Sequence, residues 1–173
     1  HDALPILAND PYSRGLFIAA LNAVMKHLGR VDCTVHCRNE GPESCAADVV
    51  RYISERYGRP SIALIGYQPA MLEQLAKKYD VRAVDLSPSN IGQRRFGVLI
   101  EDGRIPETSQ SLCRLADLVL CTGSTVCNGS IVDFLPFKDK ILFYGTTLAG
   151  AAPLMGLPRL CFADRYQDSF LQN

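Results

Sequence analysis

The segment that decides the fold runs from Ser61 to Asp85 and reads SIALIGYQPAMLEQLAKKYDVRAVD. Its first six residues form a short apolar run that ends in Gly66, and a second short run, Val81–Asp85, ends in a carboxylate. The residues between the two runs have a helical pattern whose inward positions are Met71, Leu72 and Leu75. A strand, a helix and a second strand in this order predict neighbouring strands of a mostly parallel sheet.

The same alternation continues towards the C-terminus. Further strands are predicted at Phe96–Ile100, Asp117–Cys121, Lys140–Tyr144 and Arg159–Phe162, with helices at Pro106–Leu115, Val126–Phe134 and Leu148–Met155. Apolar strands that alternate with helices of about ten residues are typical of a doubly wound α/β fold. We therefore predict one such domain over residues 59–173.

Residues 1–58 follow a different pattern and predict a small N-terminal α+β lobe. A capping residue and a proline, in Asn9-Asp10-Pro11, precede an apolar helix over Tyr12–Leu28. Val31–Cys37 alternates with period two, which predicts a short strand, and Glu43–Tyr57 predicts a second helix.

Composition excludes several classes of protein. The 173 residues carry 18 basic and 18 acidic side chains, so balanced charge argues against a polybasic nucleic-acid binder. No apolar run approaches the roughly 18 residues of a membrane-spanning helix, and the first residues lack the features of a secretory signal. The seven cysteines, an odd number spread along the chain, predict reduced thiols in a cytoplasmic protein. We therefore predict no nucleic-acid and no membrane partner.

Polar and glycine-bearing loops follow four of the predicted strands, where doubly wound sheets bind their ligands. Glycine allows a ligand to approach the backbone closely, and hydroxyls at helix starts hold anions. The same hydroxyls also cap helices, and the sequence leaves both interpretations open. The candidate ligand-binding residues are Gly66, Gln68, Asp85, Thr122, Gly123, Ser124, Thr125, Asn128, Gly145, Thr146 and Thr147.

Asp85 lies 19 residues after Gly66, where dinucleotide sites place the carboxylate that binds ribose. The loop after Gly66 has one glycine where that fingerprint needs three, which argues against a redox dinucleotide enzyme. Asp85 remains a candidate for binding a ribose or an amine, or for capping a turn.

A cluster of soft or borderline metal ligands occupies residues 33–45 and comprises Cys33, His36, Cys37 and Cys45. If Val31–Cys37 is a strand, Cys33 and Cys37 lie about 13 Å apart, too far for one zinc ion without a bend. Burial as small apolar residues is the favoured interpretation. Cys45 follows Pro42 in the first turn of a helix, where the helix dipole favours a thiolate.

Two segments resemble the putative heavy-metal chelation family. Ala116–Ser130, ADLVLCTGSTVCNGS, resembles the family's signature, and Ile141–Thr147, ILFYGTT, resembles its second loop. The resemblance covers about residues 60–165. It implies a Rossmann-like domain joined to a lobe related to the N-terminal fold of enolase, with a cleft between them. It also implies that the loops starting at Thr122 and Gly145 line this cleft, and that the protein handles a heavy-metal ion or a metal chelate.

These observations predict a small-molecule or metal-chelate binding protein whose ligand lies in the interlobe cleft. The alternative is a transferase or lyase that uses a nucleotide-type, S-adenosyl-like cofactor at the same sheet edge, and a third hypothesis is a structural subunit with a vestigial site. No catalytic triad or carboxylate pair is recognisable, so the sequence leaves open whether the protein is an enzyme. The leading lobe, at about 58 residues, is short for this family, so a site made jointly by both lobes is either incomplete or completed by a second subunit of a homo-oligomer.

Overall fold

The structure is a computed structural model that describes residues 10–166 of the chain; Asn9 of the predicted helix start lies outside them. Its centre is a sheet with the strand order β3-β4-β2-β1-β5-β6-β7. The strands are β1 (Ile62–Ile65), β2 (Val81–Asp85), β3 (Arg94–Arg95), β4 (Val98–Asp102), β5 (Leu118–Thr122), β6 (Ile141–Tyr144) and β7 (Arg159–Leu160). All neighbours pair in parallel except β3 and β4, which form an antiparallel edge hairpin.

Two helices precede the first strand, and the other helices lie between strands along the chain. The helices are α1 (Pro11–His27), α2 (Gly41–Tyr57), α3 (Pro69–Ala76), α4 (Pro106–Leu115), α5 (Thr125–Asn128) and α6 (Ala151–Met155), with 3-10 turns at Ser130–Asp133, Leu135–Phe137 and Ala163–Tyr166. If the two-residue β3 is left out, the order across the sheet is β4-β2-β1-β5-β6-β7. Counted along the chain, these are the third, second, first, fourth, fifth and sixth strands, which is the Rossmann order. The predicted doubly wound, mostly parallel, Rossmann-like fold is confirmed.

Helices cover both faces of the sheet. Alternate side chains of each strand point to opposite faces, and in the central strands both sets are apolar and buried. Leu64 and Leu120 pack with α2 and α3, including Val49 and Leu72. The other face packs with α1, α4 and α6, and its buried members include Ile18, Ala63, Val119, Cys121, Phe143, Leu148 and Ala151. Within residues 10–166, no helix combines the length and apolar character needed to cross a membrane.

The helices of the predicted N-terminal lobe pack directly on this sheet. Asp10 caps α1 by accepting hydrogen bonds from the backbone N–H groups of Tyr12 and Ser13. In α2, Ala46, Val49 and Ile53 join the core of the sheet, whereas α1 buries Ile18 and leaves other apolar side chains exposed. The lobe boundary at residue 58 stays a prediction.

Two predicted elements are wrong. Val31–Cys37 forms no strand, because Cys33 has a φ of 53° and its N–H bonds to Asp164 Oδ2 at 2.8 Å rather than to a neighbouring strand. The predicted helix Val126–Phe134 is instead α5 followed by 3-10 turns, since Gly129 has a φ of 82° and ends α5 after Asn128.

Candidate functional site

A cavity of about 600 Å³ lies at the carboxyl ends of the central parallel strands. Its wall includes Gly66 after β1, Asp85 at the end of β2, Thr122 at the end of β5 and Gly145 after β6. The strand order reverses between β1 and β5, and in doubly wound sheets ligands bind in the crevice at this switch point. The volume lies within the range of about 300–1,000 Å³ that is typical of small-molecule sites.

Ten of the eleven residues that the sequence singled out line this cavity, namely Gly66, Gln68, Asp85, Thr122, Ser124, Thr125, Asn128, Gly145, Thr146 and Thr147. The exception is Gly123, which packs behind the wall. Its N–H donates to the carbonyl of Tyr144 at 2.9 Å, and a Cβ on it would lie 2.9 Å from the backbone nitrogen of Leu148. Gly123 therefore allows the loops after β5 and β6 to approach each other.

The floor of the cavity is fixed across three strands. Gly66 has a φ of 87°, and a Cβ on it would lie 2.5 Å from Thr122 Cγ2. The hydroxyl of Tyr144 donates to the carbonyl of Gly66 at 2.7 Å. Burial raises the pKa of Tyr144 strongly, so its hydroxyl stays protonated and remains a donor.

The carboxylate of Asp85 ties together the loops after β1 and β2. Its Oδ2 accepts from the N–H of Tyr67 at 2.7 Å, and its Oδ1 accepts from the N–H of Ser87 at 2.7 Å and from Asn90 Nδ2 at 3.1 Å. These bonds use most of the acceptor capacity of a carboxylate. Gln68 has a comparable local role, because its Oε1 accepts from the N–H of Met71 and caps α3.

The loop after β5 mixes structural and exposed polar groups. Thr125 Oγ1 donates to the carbonyl of Thr122 at 2.8 Å and is buried. Asn128 Oδ1 accepts from the N–H of Ser130 at 2.9 Å and from Ser130 Oγ at 2.8 Å. Ser124 is exposed, and its Oγ lies 3.2 Å from Thr122 Oγ1. Helix capping and cavity lining therefore coexist in this loop.

The loop after β6 is held by α1. Asn22 Nδ2 donates to the carbonyl of Thr147 at 2.9 Å and to that of Thr146 at 3.3 Å. Asn22 Oδ1 accepts from the N–H of Gly150 at 2.6 Å. Thr146 Oγ1 lies 3.0 Å from His36 Nε2, whereas the hydroxyl of Thr147 has no hydrogen-bond partner among the described residues. Thr147 thus presents a hydroxyl that the described fold does not use.

One side of the cavity was not predicted from the sequence, and it includes His36, Cys37, Cys45 and Cys161. Arg159 attaches the chain before His36 to the sheet: it donates to the carbonyls of Asp32 at 2.7 Å, Cys33 at 3.2 Å and Gly145 at 2.9 Å. The cysteine-rich cluster at residues 33–45 was the available signal for this side. Nothing near Cys161 marks it, because it reaches the cavity only through the fold.

The thiols of this wall interact with one another. A hydrogen bond with Cys161 lowers the pKa of the Cys45 thiol, and the same hydrogen bond, together with burial, raises that of Cys161. Burial raises the pKa of Cys37. Cys121 and Cys127 flank the loop after β5 but do not line the cavity; Cys121 is buried in the core.

Among residues 10–166, no group of three or more His, Cys, Asp or Glu side chains is arranged to hold a metal ion. Glu40 and Glu43, which flank the turn before α2, do not line the cavity. The described side chains therefore do not fit a bare metal ion that the protein alone would coordinate.

A family model described as putative heavy-metal chelation (domain of unknown function 364) matches residues 48–150, which is more than half of the chain. The chain belongs to this family. The match confirms the resemblance seen in the segments Ala116–Ser130 and Ile141–Thr147, and it includes all eleven of the predicted site residues.

This chelation-family chain also resembles a solved structure of a family member from Pyrococcus horikoshii, described as a protein with unknown function. The two share 20% sequence identity with a TM-score of 0.52, over 80% of this chain and 50% of the other. The aligned chain thus spans about half the length of that protein, and the likeness shows a shared fold. No curated protein matches the chain.

Proposed function

We propose that this chelation-family protein binds a small polar molecule or a metal chelate in the cavity at the switch point. The observation that carries the proposal is the convergence of ten polar and glycine residues, from the ends of four strands, on one cavity of about 600 Å³. The parallel sheet alone brings these loops to one edge, and the cavity among them provides the space for a ligand.

The chemistry of the wall favours a ligand with a polar edge and an apolar body. The lining combines the hydroxyl-bearing residues Ser124 and Thr147 with the apolar residues Val49, Met71 and Leu160. Arg104 also lines the cavity, but its guanidinium already pairs with Asp102. Hydroxyl and amide groups, rather than an unpaired cation, would therefore hold the oxygens of the ligand.

A metal would enter this site together with its chelator. Since the described residues form no complete set of metal ligands, the small molecule would supply most of the coordination. The protein would then recognise the outer oxygens of the chelate through its loops. This hypothesis predicts that a metal salt alone binds much more weakly than the same metal in a chelate.

A transferase or lyase with an S-adenosyl-like cofactor is the second candidate. The Rossmann strand order and the position of the cavity at the switch point favour a nucleotide-type ligand. The bonds that Asp85 already makes to Tyr67, Ser87 and Asn90 weigh against it as the ribose-binding carboxylate. The two candidates differ in the compound that binds.

A thermal-shift screen separates them. The panel contains zinc and copper salts, the citrate chelates of the same metals, S-adenosylmethionine and common nucleotides. A compound present at 100 times its Kd stabilises the folded protein by about 2.7 kcal/mol, which is readily measured. Stabilisation by a chelate but not by its salt or its free chelator supports the first candidate, stabilisation by S-adenosylmethionine supports the second, and no response contradicts both.

Thr147→Val tests the cavity itself. Valine keeps the shape of threonine and removes the hydroxyl. A compound found in the screen should then bind about 2- to 10-fold more weakly, because the loss of one hydrogen bond reduces affinity by about that factor. Folding stability should change little, because this hydroxyl has no partner in the described fold. Thr108→Val, the same change in α4 outside the cavity, is the matched control. Equal affinity for both variants in isothermal titration would contradict the proposed site.

A further inference from the structure

Three cysteines from separate parts of the chain lie on one wall of the cavity. Cys37 precedes α2, Cys45 lies within α2 and Cys161 directly follows β7. All three are free thiols and half-buried, so each is reachable from the cavity. The start of α2 packs tightly on Cys37, since a Cβ on Gly41 would lie 2.9 Å from the Cβ of Cys37.

The side chain of Cys45 interacts with those of both Cys161 and Cys37, and the interaction with Cys161 has the larger effect on the pKa of Cys45. Cys45 also interacts with the backbone N–H of Phe162, the residue that directly follows Cys161. The two segments are joined independently of the thiols: Asp48 of α2 accepts a hydrogen bond from Tyr166 at 2.6 Å and pairs with Arg165 at 3.0 Å. The fold thus holds these two cysteines together whether or not they are bonded.

The two thiols differ in reactivity. The hydrogen bond from Cys161 lowers the pKa of Cys45, and a thiolate is the nucleophile in thiol–disulfide exchange. The pKa of Cys161 is raised first by its hydrogen bond with Cys45 and then by burial. Once the sulfur of Cys45 is bonded to another sulfur, the first of these causes disappears, and Cys161 becomes easier to deprotonate.

We propose that Cys45 and Cys161 form a redox-active dithiol that reacts with low-molecular-weight disulfides entering the cavity. This inference stands independently of the ligand proposed above. Cys45 is the attacking residue and Cys161 is the resolving residue. The wall of the cavity is then a site of thiol modification as well as a binding surface.

The exchange proceeds in two balanced steps. The Cys45 thiolate attacks one sulfur of the small disulfide, which forms a mixed disulfide and releases one thiolate that takes up the proton lost by Cys45. Cys161 then attacks the sulfur of Cys45, which forms the Cys45–Cys161 bond and releases the second small thiol. The protein dithiol loses two electrons, and the small disulfide is reduced to two thiols.

Incubation of the full chain with oxidised glutathione tests the proposal. Thiol titration should show the loss of two of the seven thiols, and non-reducing peptide mapping should identify a Cys45–Cys161 bond. Cys161→Ser should stop the reaction at glutathione bound to Cys45, whereas Cys45→Ser should prevent the fast modification. Cys127→Ser, which removes a half-buried thiol outside the cavity, is the control and should behave like the unchanged chain.

Three results would overturn the proposal. The first is a disulfide between Cys37 and Cys45, and the second is no loss of thiols in the unchanged chain. The third is that glutathione becomes attached to Cys161 of the Cys45→Ser variant as fast as the unchanged chain is modified. Circular dichroism shows whether each serine variant folds. If Cys45→Ser does not fold, limiting iodoacetamide on the unchanged chain provides the same information. Alkylation should then occur at Cys45 before the other six cysteines, and prior alkylation elsewhere would contradict its assignment as the attacking thiol.

Discussion

Asp48 is a buried carboxylate between α2 and the 3-10 turn Ala163–Tyr166. It accepts from the hydroxyl of Tyr166 at 2.6 Å and pairs with Arg165 and Arg51. Burial by itself raises the pKa of this carboxyl, but the hydrogen bonds from Tyr166 and Arg165 and the charge of Arg51 outweigh it, and the pKa is lowered. The folded protein therefore favours ionised Asp48.

A lowered pKa in the folded state makes stability depend on pH. The stabilisation is fully present above the unfolded pKa of about 3.9 and is lost as the pH falls through the lower folded value. We expect Asp48→Asn to cost about 1–3 kcal/mol at pH 7 and to flatten the fall in unfolding free energy as the pH drops below about 4. Urea unfolding across this pH range measures both effects.

The control for this prediction is Asp80→Asn, which removes an exposed carboxylate that forms no ion pair among residues 10–166. It should leave the pH dependence of the unfolding free energy close to that of the unchanged chain. An Asp48→Asn profile parallel to the original one would show that Asp48 does not link folding to protonation.

Residue types and their spacing predicted which loops border the cavity, but not what each side chain does there. Gly66 and Asp85 could be located because they end apolar strands. That Asp85 bonds to Tyr67, Ser87 and Asn90 depends on how two loops meet, which no local pattern encodes. Gly123 was selected for the same reason as Gly66, yet it serves the packing against Leu148 instead.

At the scale of elements, α1 supports the cavity without lining it. Asn22 of α1 makes three hydrogen bonds to the backbone of the loop that follows β6. Arg14 of α1 donates from Nε to the carbonyl of Cys127 at 2.9 Å and from Nη2 to that of Asn128 at 3.2 Å. One helix thereby positions the polar loops after both β5 and β6.

Asn22→Ala should destabilise the fold and loosen the loop that carries Thr146 and Thr147. Three lost hydrogen bonds, at about 0.5–1.5 kcal/mol each and partly replaced by water, predict a loss of about 2 kcal/mol in chemical denaturation. A compound found in the thermal-shift screen should also bind more weakly, because the loop is no longer held in place.

Asn22→Asp is the matched variant for this prediction. It keeps an acceptor for the N–H of Gly150 and loses the donor to the carbonyls of Thr146 and Thr147. Its cost should equal or exceed that of Asn22→Ala, because a carboxylate oxygen would then face the carbonyl oxygens of Thr146 and Thr147. If both variants match the original chain in stability and binding, the hydrogen bonds between α1 and this loop contribute to neither.

Apolar periodicity predicted most of the elements, and the errors have local causes. Period-two alternation in Val31–Cys37 predicts a strand, but a strand needs a partner, and Asp164 and Arg159 take the hydrogen bonds of this segment instead. β3 was missed because Arg94 and Arg95 lack any apolar alternation; they pair with β4 only as its hairpin neighbour.

For the whole molecule, the alternation of strands and helices was sufficient to predict the fold class and to place the ligand loops at one sheet edge. The strand order then brings the ends of β1 and β5 together at the switch point. The remaining wall, with Cys45 and Cys161, could not be predicted in this way. These residues are far apart in sequence and meet only because α2 packs beside the end of β7.

The central claim is that the cavity at the switch point is a ligand-binding site. Backbone amide chemical-shift mapping with the compound that gives the largest thermal shift tests it most directly. The account predicts that the shifted resonances cluster at residues 66–68, 122–130 and 145–147, which surround the cavity. Shifts confined to the exposed face of α1 or to the β3–β4 hairpin, with those loops unchanged, would contradict it.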